Sequence, residues 1–476
     1  MRKPLLLSGL LAATLLFLSA TLDLDNLFNY ENQNIPGYIN QDNTTNNAVT
    51  DEGVTLGRVL FYDKKLSVSN TVSCASCHQQ AFAFSDPLQA SVGVNGTTGR
   101  HSMRLVNARF AAEDRFFWDE RAPTLEAQTT QPIQDHAEMG YSGENGAPDL
   151  NDLITELSQV DYYQDLFTFA FGDPAITEAR MQQALGQFIR SIQSFDSRFD
   201  EGLAQRQLNQ PFPNFTDAEN RGKALYLGPA RCQPCHRAPE FDIDPNSRNN
   251  GVVGVIGNPN AIDVNNTRAP SLRDLVNPDG VLNGPLMHDG SMNSLLEVID
   301  HYDDITIVPG NNNLDPRLRG GPPGQGNGQN LNLTVTEKED LVAFLMTLTG
   351  SDIYTNDKWS DPFGPNGELE LIGGSTLPVE LISFSGSVAE KWNYLTWETA
   401  TETDFSHFEL ERSVDGFTNW VMLTEQLGGG AQVQQDGSRS YAFTDQSPLN
   451  DGYYRLRLVD LDGAYALSEV IYLQRS

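Results

Sequence analysis

Apolar residues recur every three or four positions in several stretches before about residue 350. The strongest stretch, about residues 176–200, predicts an amphipathic helix that turns one face toward a core. That face carries Met181, Leu185, Phe188, Ile189, Ile192 and Phe195. Two capping boxes, Thr216-x-x-Glu219 and Thr336-x-x-Glu339, predict where two more helices begin. The chain before this point is therefore expected to be mainly α-helical.

The pattern changes after about residue 350. Residues 353–376 are rich in Gly, Pro and Asp, which predicts a linker. From 377 to 476, short runs of alternating apolar and polar residues are separated by turn residues, which is typical of a β-sandwich. Its first residues, Leu377-Pro378-Val379-Glu380-Leu381, resemble the start of a fibronectin type III module. This region has no Cys and only His407, so we assign it no chemistry.

The first 48 residues are expected to lie outside any folded domain. Residues 1–21 are typical of a signal peptide, with Arg2 and Lys3 before an apolar run and small residues at its end. Residues 22–48 are rich in Asn and Asp and lack periodicity, which predicts a flexible arm. We find no other segment apolar enough to span a bilayer, so export to the periplasm is expected, with the cell surface as an alternative.

The chain is strongly acidic. It has 63 Asp and Glu against 31 Lys and Arg, a net charge of −32, which argues against a nucleic-acid partner. These carboxylates either form a solvated surface or steer a basic electron donor. The sequence leaves both interpretations open.

Every cysteine belongs to one of two Cys-x-x-Cys-His motifs, Cys74-Ala-Ser-Cys77-His78 and Cys232-Gln-Pro-Cys235-His236. This is the attachment signature of c-type haem, in which the two thiols reach the vinyl groups of one porphyrin. The adjacent histidine then falls beneath the iron as its proximal ligand. A disulfide or half of a zinc site is the alternative for a single motif, but two copies with His in the next position disfavour it. We therefore predict two covalently bound haem c groups.

The two motifs divide the helical part of the chain. We expect a first cytochrome c-like haem domain at 49–205 and a second at 206–352. The predicted fold is thus mainly α, with two cytochrome c-like haem domains followed by a small all-β sandwich.

Two further blocks accompany the haem motifs. Phe117-Trp118-Asp119-Glu120-Arg121 lies between them, and Met287-His288-Asp289-Gly290 follows the second. In this combination and order, the chain resembles the bacterial di-haem cytochrome c peroxidase and MauG superfamily over roughly residues 49–350. The resemblance implies hydrogen peroxide as substrate and a small c-type cytochrome, or another redox protein, as electron donor.

The resemblance also implies roles for four residues. Cleavage of the peroxide bond needs a group that moves a proton between its two oxygens. Glu138 would be that group, with Gln128 beside it in the distal pocket of the first haem. Trp118 would relay electrons between the haems, although such a ring is often simply a core residue. Arg121 would pair with a haem propionate or a nearby acid.

The resemblance implies His78 and His236 as proximal ligands, and the first haem departs from the classical pattern. Where classical members carry a distal histidine on this haem, the chain has Val94, which cannot bind iron. We therefore expect the first haem to be five-coordinate or water-bound. His101 is a possible replacement ligand, but it is better explained as a polar residue near the haem interface.

The second haem departs from that pattern as well. Classical members place a Met fourteen residues after the His of the HDG motif, and here Tyr302 stands fourteen residues after His288. A Tyr at that place is found in MauG-type proteins. A phenolate favours ferric and higher states of iron, whereas a Met thioether favours the ferrous state. Tyr302 is thus the expected sixth ligand of the second iron, with His301 or Met292 as alternatives. His288 is expected to support this haem without binding its iron.

The family also carries a calcium ion between its haem domains, held largely by carbonyl groups and an Asn. Asn283 and Pro285 match two of those positions, while His101 stands in place of the Asn. We expect a calcium ion at this place. A homodimer is a separate expectation.

Three functions are compatible with these features. The leading one is an exported di-haem peroxidase that reduces hydrogen peroxide to water. The second is a MauG-like oxidase that uses high-valent haem to oxidise a protein or a small molecule, which Tyr302 favours. The third is a di-haem electron carrier without turnover, which would require both irons to be six-coordinate.

Overall fold

The computed structural model describes the greater part of the chain. It covers Leu24 and residues 27–112, 115–243, 245–320, 327–370, 372–373, 379–389, 391–402, 405–414, 416, 420–427, 432–433, 438–460 and 465–475. The predicted signal peptide at 1–21 lies outside the described residues. In the described part of the chain, no helix is both long enough and apolar enough to cross a bilayer.

The region up to residue 355 contains all the α-helices that the structure describes. They are α1 Asp51–Tyr62, α2 Cys74–Cys77, α3 Leu125–Thr129, α4 Gln131–Gln134, α5 Leu150–Leu157, α6 Asp161–Phe171, α7 Glu178–Ser191, α8 Arg198–Gln205, α9 Asp217–Leu227, α10 Leu295–Asp303, α11 Val335–Met346 and α12 Asp352–Thr355. Two short antiparallel pairs accompany them, β1 His236–Arg237 with β2 Asp242–Ile243 and β3 Arg319–Gly320 with β4 Asn327–Gly328. The mainly α character predicted for this part of the chain is confirmed.

Helices α1 and α7 cross at a glycine and form the frame of the first helical unit. A Cβ placed on Gly57 would lie 2.0 Å from the backbone oxygen of Ala184, so only glycine permits this approach. Five of the six residues in the predicted stripe are buried there, and Phe195 is partly buried. The prediction of a single helix at 176–200 is wrong, because α7 ends at Ser191 and α8 begins at Arg198. Asn107 instead bonds the backbone of Ser194 in the intervening segment.

Helices α9 and α11 repeat this arrangement in the second unit. A Cβ on Gly222 would lie 1.9 Å from the backbone oxygen of Asp340. The capping box predicted at Thr216 is present and starts α9. The second helix is capped by Thr334 with Glu337 and not by the pair predicted from the sequence. Each unit thus has a close helix crossing whose first helix precedes a haem motif.

The segment expected to be a flexible arm has fixed contacts over residues 27–48. Tyr30 is fully buried in the core of the first unit, and the Tyr38 hydroxyl donates a hydrogen bond to Asp200. Asn47 bonds Glu126. Isolated aromatic and amide side chains hold this segment, which explains why it has no hydrophobic period.

The start of the predicted linker also returns to the first unit. Trp359 is buried and donates from Nε1 to the Ser191 carbonyl at 3.1 Å. Arg58, itself fully buried in α1, donates to the carbonyls of Asp357 and Lys358. Residues 352–359 therefore close the first unit although they follow the second in sequence.

The C-terminal region is antiparallel β structure, as predicted. Its strands are β5 Val379–Val388, β6 Asn393–Glu402, β7 Phe405–Ser413, β8 Val421–Leu427, β9 Gln432–Val433, β10 Arg439–Asp445, β11 Asp451–Asp460, β12 Tyr465–Leu467 and β13 Ile471–Gln474. They form one sheet in the order β5-β6-β10-β9 and another in the order β12-β11-β7-β8, with β13 also paired to β11. Trp397 and Tyr441 from the first sheet share a core with Phe408 and Leu456 from the second.

The helix crossing in the second unit makes a testable prediction. Gly222→Ala should lower the free energy of unfolding by about 1–3 kcal/mol, because the added methyl group must push two helix backbones apart. Denaturant titration of the holoprotein, followed by far-UV circular dichroism, would measure this loss. Gly37→Ala is the control, since a Cβ at Gly37 meets no atom within 4 Å. Equal stability of the two variants would contradict the proposed crossing constraint.

Candidate active site

The first haem motif forms a single helical turn. Helix α2 spans Cys74–Cys77 and is capped by Ser73, and the backbone N–H of His78 donates to the Cys74 carbonyl. The His78 ring places Nδ1 3.1 Å from the Phe84 carbonyl oxygen. With the proton on Nδ1, this bond fixes the tautomer and leaves Nε2 available as a metal ligand. Burial lowers the pKa of His78, which keeps the ring neutral.

A cavity of about 2060 Å³, part of it open to solvent, adjoins this motif. Its walls contain Cys74, Cys77 and His78 together with the predicted site residues Trp118, Arg121, Gln128 and Glu138. These come from α2, the 117–121 turn, α3 and the loop after α4. The structure therefore brings together the residues that the resemblance assigned to the first haem.

Glu138 is a carboxylate with a strongly shifted pKa in the wall of this cavity. Burial, reinforced by the nearby Asp135 and opposed by Arg121, raises the pKa of Glu138 to about 7. Its carboxylate makes no hydrogen bond to any residue that the structure describes. Val94 lies beside it, since the Val94 N–H donates to the Glu138 carbonyl at 2.9 Å. A carboxyl group that titrates near neutrality can both accept and donate a proton.

Arg121 has an acid as its partner in this structure. Its guanidinium bonds Asp119 at 2.9 Å and stacks 3.5 Å above the centre of the Phe117 ring. The side chain is 46% exposed. The nearby acid, one of the two predicted partners, is thus Asp119, and the pairing with a haem propionate stays a prediction.

The second motif is built differently. Cys232 and Cys235 lie in a turn, and His236 begins β1. The His236 Nδ1 is buried and has no hydrogen-bond partner among the described residues. Burial lowers the pKa of His236 to about 4, so this ring is neutral as well.

Tyr302 lines the cavity that adjoins the second motif. This cavity has a volume of about 1510 Å³ including open space, and Cys232, Cys235 and His236 also line it. Burial raises the pKa of the Tyr302 hydroxyl, while a 3.3 Å hydrogen bond from the Asn250 amide opposes that rise.

The two alternatives to Tyr302 lie elsewhere. The Nε2 of His301 is 2.9 Å from the Asn250 carbonyl, and neither His301 nor Met292 is among the residues that line the cavity. Met292 instead pairs with Leu286 through the backbone and packs against the core of the second unit.

Sequence reasoning missed two residues in this second cavity. The Asn250 amide donates to the Tyr302 hydroxyl and also to the Met287 sulfur at 3.3 Å. Asn250 stands in an Asn-rich loop where no spacing distinguishes it. Met287 precedes the HDG motif, so its position beside a haem motif could have drawn attention to it.

The blocks around Trp118 and His288 are equivalent turns of the two units. Phe117 and Met287, which precede them, have φ of 70° and 73°. Each turn is closed by a backbone bridge, Phe116 with Ala122 and Leu286 with Met292. The Trp118 and His288 rings meet edge to face with centroids 6.3 Å apart. Trp118 lines both cavities and thus lies between the two haem motifs.

Sequence comparison places this chain among known proteins. A family model described as di-haem cytochrome c peroxidase matches residues 51–207. The methylamine utilization protein MauG of Methylophilus methylotrophus is 32% identical over 316 residues, which cover 64% of this chain and 84% of that protein. The chain belongs to the di-haem cytochrome c peroxidase and MauG family.

Other members of this family are named either as MauG proteins or as cytochrome c peroxidases. MauG of Methylorubrum extorquens is 34% identical over 63% of this chain and 79% of its own length. The cytochrome c551 peroxidase of Nitrosomonas europaea is 27% identical over 64% and 82%. The family is therefore shown, while the comparisons do not choose between its two activities.

Solved structures agree with this assignment. A MauG-like protein associated with microbial copper homeostasis superposes with a TM-score of 0.56 at 31% identity, covering 70% of this chain and 99% of that one. The diheme peroxidase BthA of Burkholderia thailandensis gives a TM-score of 0.51 at 20% identity, covering 71% and 90%, which supports the fold alone.

Both cavities suit the covalently attached haem that membership of this family implies. The four thiols are free of disulfides. Burial raises the pKa of Cys74 and Cys232 to about 12, so both thiols are protonated. The Nδ1 contact of His78 leaves its Nε2 free to bind iron, and His236 lines the second cavity beside its own two thiols.

The positions expected to hold calcium differ in their chemistry. His101 directs Nδ1 toward the Leu88 carbonyl and Nε2 toward the Ser85 hydroxyl, and an imidazole is a poor ligand for this cation. Asn283 has one buried amide oxygen without a donor among the described residues, and Pro285 lies two residues further on. The calcium ion therefore stays a prediction. With both ring nitrogens engaged, His101 also acts as the local polar residue that the sequence suggested.

The burial of Glu138 predicts a cost in stability. Its pKa rises from 4.5 to about 7 in the folded chain, so folding becomes less favourable as the pH rises through that interval. Glu138→Gln cannot ionise and should be more stable than the parent at pH 8 by on the order of 1–2 kcal/mol, with no difference at pH 4. Thermal unfolding at the two pH values measures this, and a difference that does not depend on pH would contradict it.

Proposed function

We propose that this protein is an exported di-haem peroxidase that reduces hydrogen peroxide to water with electrons from a c-type cytochrome or a similar donor. The observation that carries the proposal is Glu138, a carboxyl group with a pKa of about 7 that faces the His78 cavity and has no hydrogen-bond partner among the described residues. The two units, 49–205 and 206–352 with the returning segment 352–359, would each hold one haem.

In this proposal Glu138 performs the proton transfer. His78 would hold the haem, which would supply the site for peroxide and the electrons for its reduction. The Glu138 carboxylate takes the proton from one peroxide oxygen and returns it to the departing oxygen, which leaves as water. The Gln128 amide, in the same wall, holds the peroxide in place by hydrogen bonding. Two protons and two electrons convert each peroxide into two waters.

Electrons would enter at the second unit and cross through Trp118. Its ring lies in the wall of both cavities, and its Nε1 donates to the His101 carbonyl at 2.7 Å, which fixes the orientation of the indole. The net charge of −32 would attract a basic donor.

Replacement of Glu138 tests the proposal. Glu138→Gln should leave both haems attached and lower peroxide turnover by about 10²–10⁴-fold, the usual contribution of a proton-transfer group. Parent activity should fall as the pH drops below about 7, where the carboxylate becomes protonated, and the variant should lose this dependence. Steady-state assays with reduced cytochrome c measure both effects. Glu144→Gln, an exposed carboxylate nearby, is the control, and full activity in Glu138→Gln would remove Glu138 from the mechanism.

A MauG-like oxidase is the second candidate, and Tyr302 favours it. A phenolate ligand would make the second haem a poorer electron reservoir and a better site for an oxidising equivalent. Peroxide would then oxidise a protein or a small molecule. Failure to turn over with several cytochrome donors, together with a long-lived oxidised form after peroxide addition, would favour this function. Two low-spin haems in the oxidised protein would instead indicate an electron carrier.

The ligand of the second iron can be tested directly. Tyr302→Phe should change the ferric absorption and EPR spectra of one haem only, and Tyr302→Met should raise its reduction potential, because thioether sulfur favours ferrous iron. His301→Gln and Met292→Leu are matched variants of the alternative ligands and should leave both spectra unchanged. Spectra altered by His301→Gln but not by Tyr302→Phe would assign the ligand to His301.

A further inference from the structure

Arg104 is a partly buried cation at the junction of the two cavities. Its side chain lines both of them, together with Trp118 and His101. One guanidinium nitrogen donates to the Ser271 carbonyl at 3.1 Å. The Nε atom is buried and has no hydrogen-bond partner among the described residues. Part of its hydrogen-bonding capacity is thus directed to no protein group that the structure describes.

Arg104 also lacks an ion-pair partner. No carboxylate of the described residues lies within 4.0 Å of it, whereas the buried Arg273 holds Asp200 through two bonds of 2.9 and 2.8 Å. Burial lowers the pKa of Arg104 to about 10, and only the longer-range attraction of Asp274 and Tyr354 opposes this shift. Asp274 is engaged elsewhere, with the Gly350 N–H at 2.9 Å. A buried N–H donor of a cation without an acceptor is costly, so the Nε of Arg104 suits a negatively charged ligand in these cavities.

The reciprocal backbone contacts between the units explain why one side chain reaches both cavities. The His101 N–H donates to the His288 carbonyl at 2.7 Å, and the Arg268 N–H donates to the Trp118 carbonyl at 3.1 Å. The segments that carry these donors run past each other, and Arg104 bonds Ser271 where they do so. Arg104 therefore lies at the boundary between the two units, and both units contribute to its surroundings.

We propose that Arg104 binds the carboxylate groups of the porphyrins in both cavities and so links the two haems electrostatically. The planar guanidinium, with its fork of donors, matches carboxylates better than any other side chain. Arg121, for which the sequence suggested this role, is half exposed and already paired with Asp119. The proposal rests on haem occupancy of both cavities, as in the proposed function, but not on peroxide turnover.

A shared cation has a measurable effect on both haems. Positive charge near a haem favours the added electron of the reduced state, and this attraction is strong where water is excluded. Arg104→Gln should therefore lower both reduction potentials, and Arg104→Lys should lower them less, because it keeps the charge but loses the fork.

Spectroelectrochemical titration of the full-length holoprotein tests this without peroxide. Arg121→Gln is the rival variant, and Arg180→Gln, whose surface partner is Asp173, is the distant control. A downward shift of both potentials in Arg104→Gln, larger than in either of these variants, supports the proposal. A shift of one potential, no shift, or an equal or larger shift in Arg121→Gln overturns it.

Haem content decides how the result is interpreted. If pyridine haemochrome analysis finds fewer than two haems in Arg104→Gln, the comparison moves to Arg104→Lys. Two attached haems with lowered potentials in that variant support the proposal, and potentials equal to those of the parent overturn it. Because no measurement involves turnover, a result against Arg104 remains separate from a result against the peroxidase.

Discussion

The two cavities are held side by side by backbone hydrogen bonds that the helical units exchange. Each unit contributes one tight turn, which contains Trp118 in the first unit and His288 in the second. The backbone carbonyl of each of these residues accepts a hydrogen bond from a backbone N–H of the other unit. Because these are main-chain bonds, they fix the spacing of the turns whatever side chains the turns carry. The wall between the cavities, with Trp118 and Arg104 in it, depends on this exchange.

The two helical units share one architectural plan but differ in the side chains that line their cavities. Gly57 and Gly222 allow the same close helix crossing in each unit. In both units, the first helix of the crossing precedes the Cys-x-x-Cys-His motif. The frames are alike, but the pockets are not. Glu138 faces the first cavity. The second cavity is lined by Tyr302, whose hydroxyl accepts a hydrogen bond from the Asn250 amide. Similar scaffolds with different cavity walls are what a division of labour between two haems requires.

Local sequence patterns predicted helices and haem motifs, but not the long-range contacts that complete the core of each unit. The haem motifs, the core stripe of α7 and the cap of α9 follow from spacing within one segment, so the sequence showed them. Tyr302 and His301 are neighbours on α10 and point in different directions, and only tertiary packing chooses between them. Arg104 was missed because a single arginine in a loop gives no periodic signal. Tyr30 and Trp359 were missed because each is a single aromatic anchor in a polar segment.

The burial of Trp359 in the first unit sets an order of assembly. This residue is made after the whole second unit, yet it completes a core that begins at Tyr30. A chain emerging in sequence order would leave its first unit unsealed until residue 359 had emerged. The core of the second unit lies between Phe199 and Leu348 and does not include Trp359, so the first cysteine pair would stay accessible until after the second unit is complete.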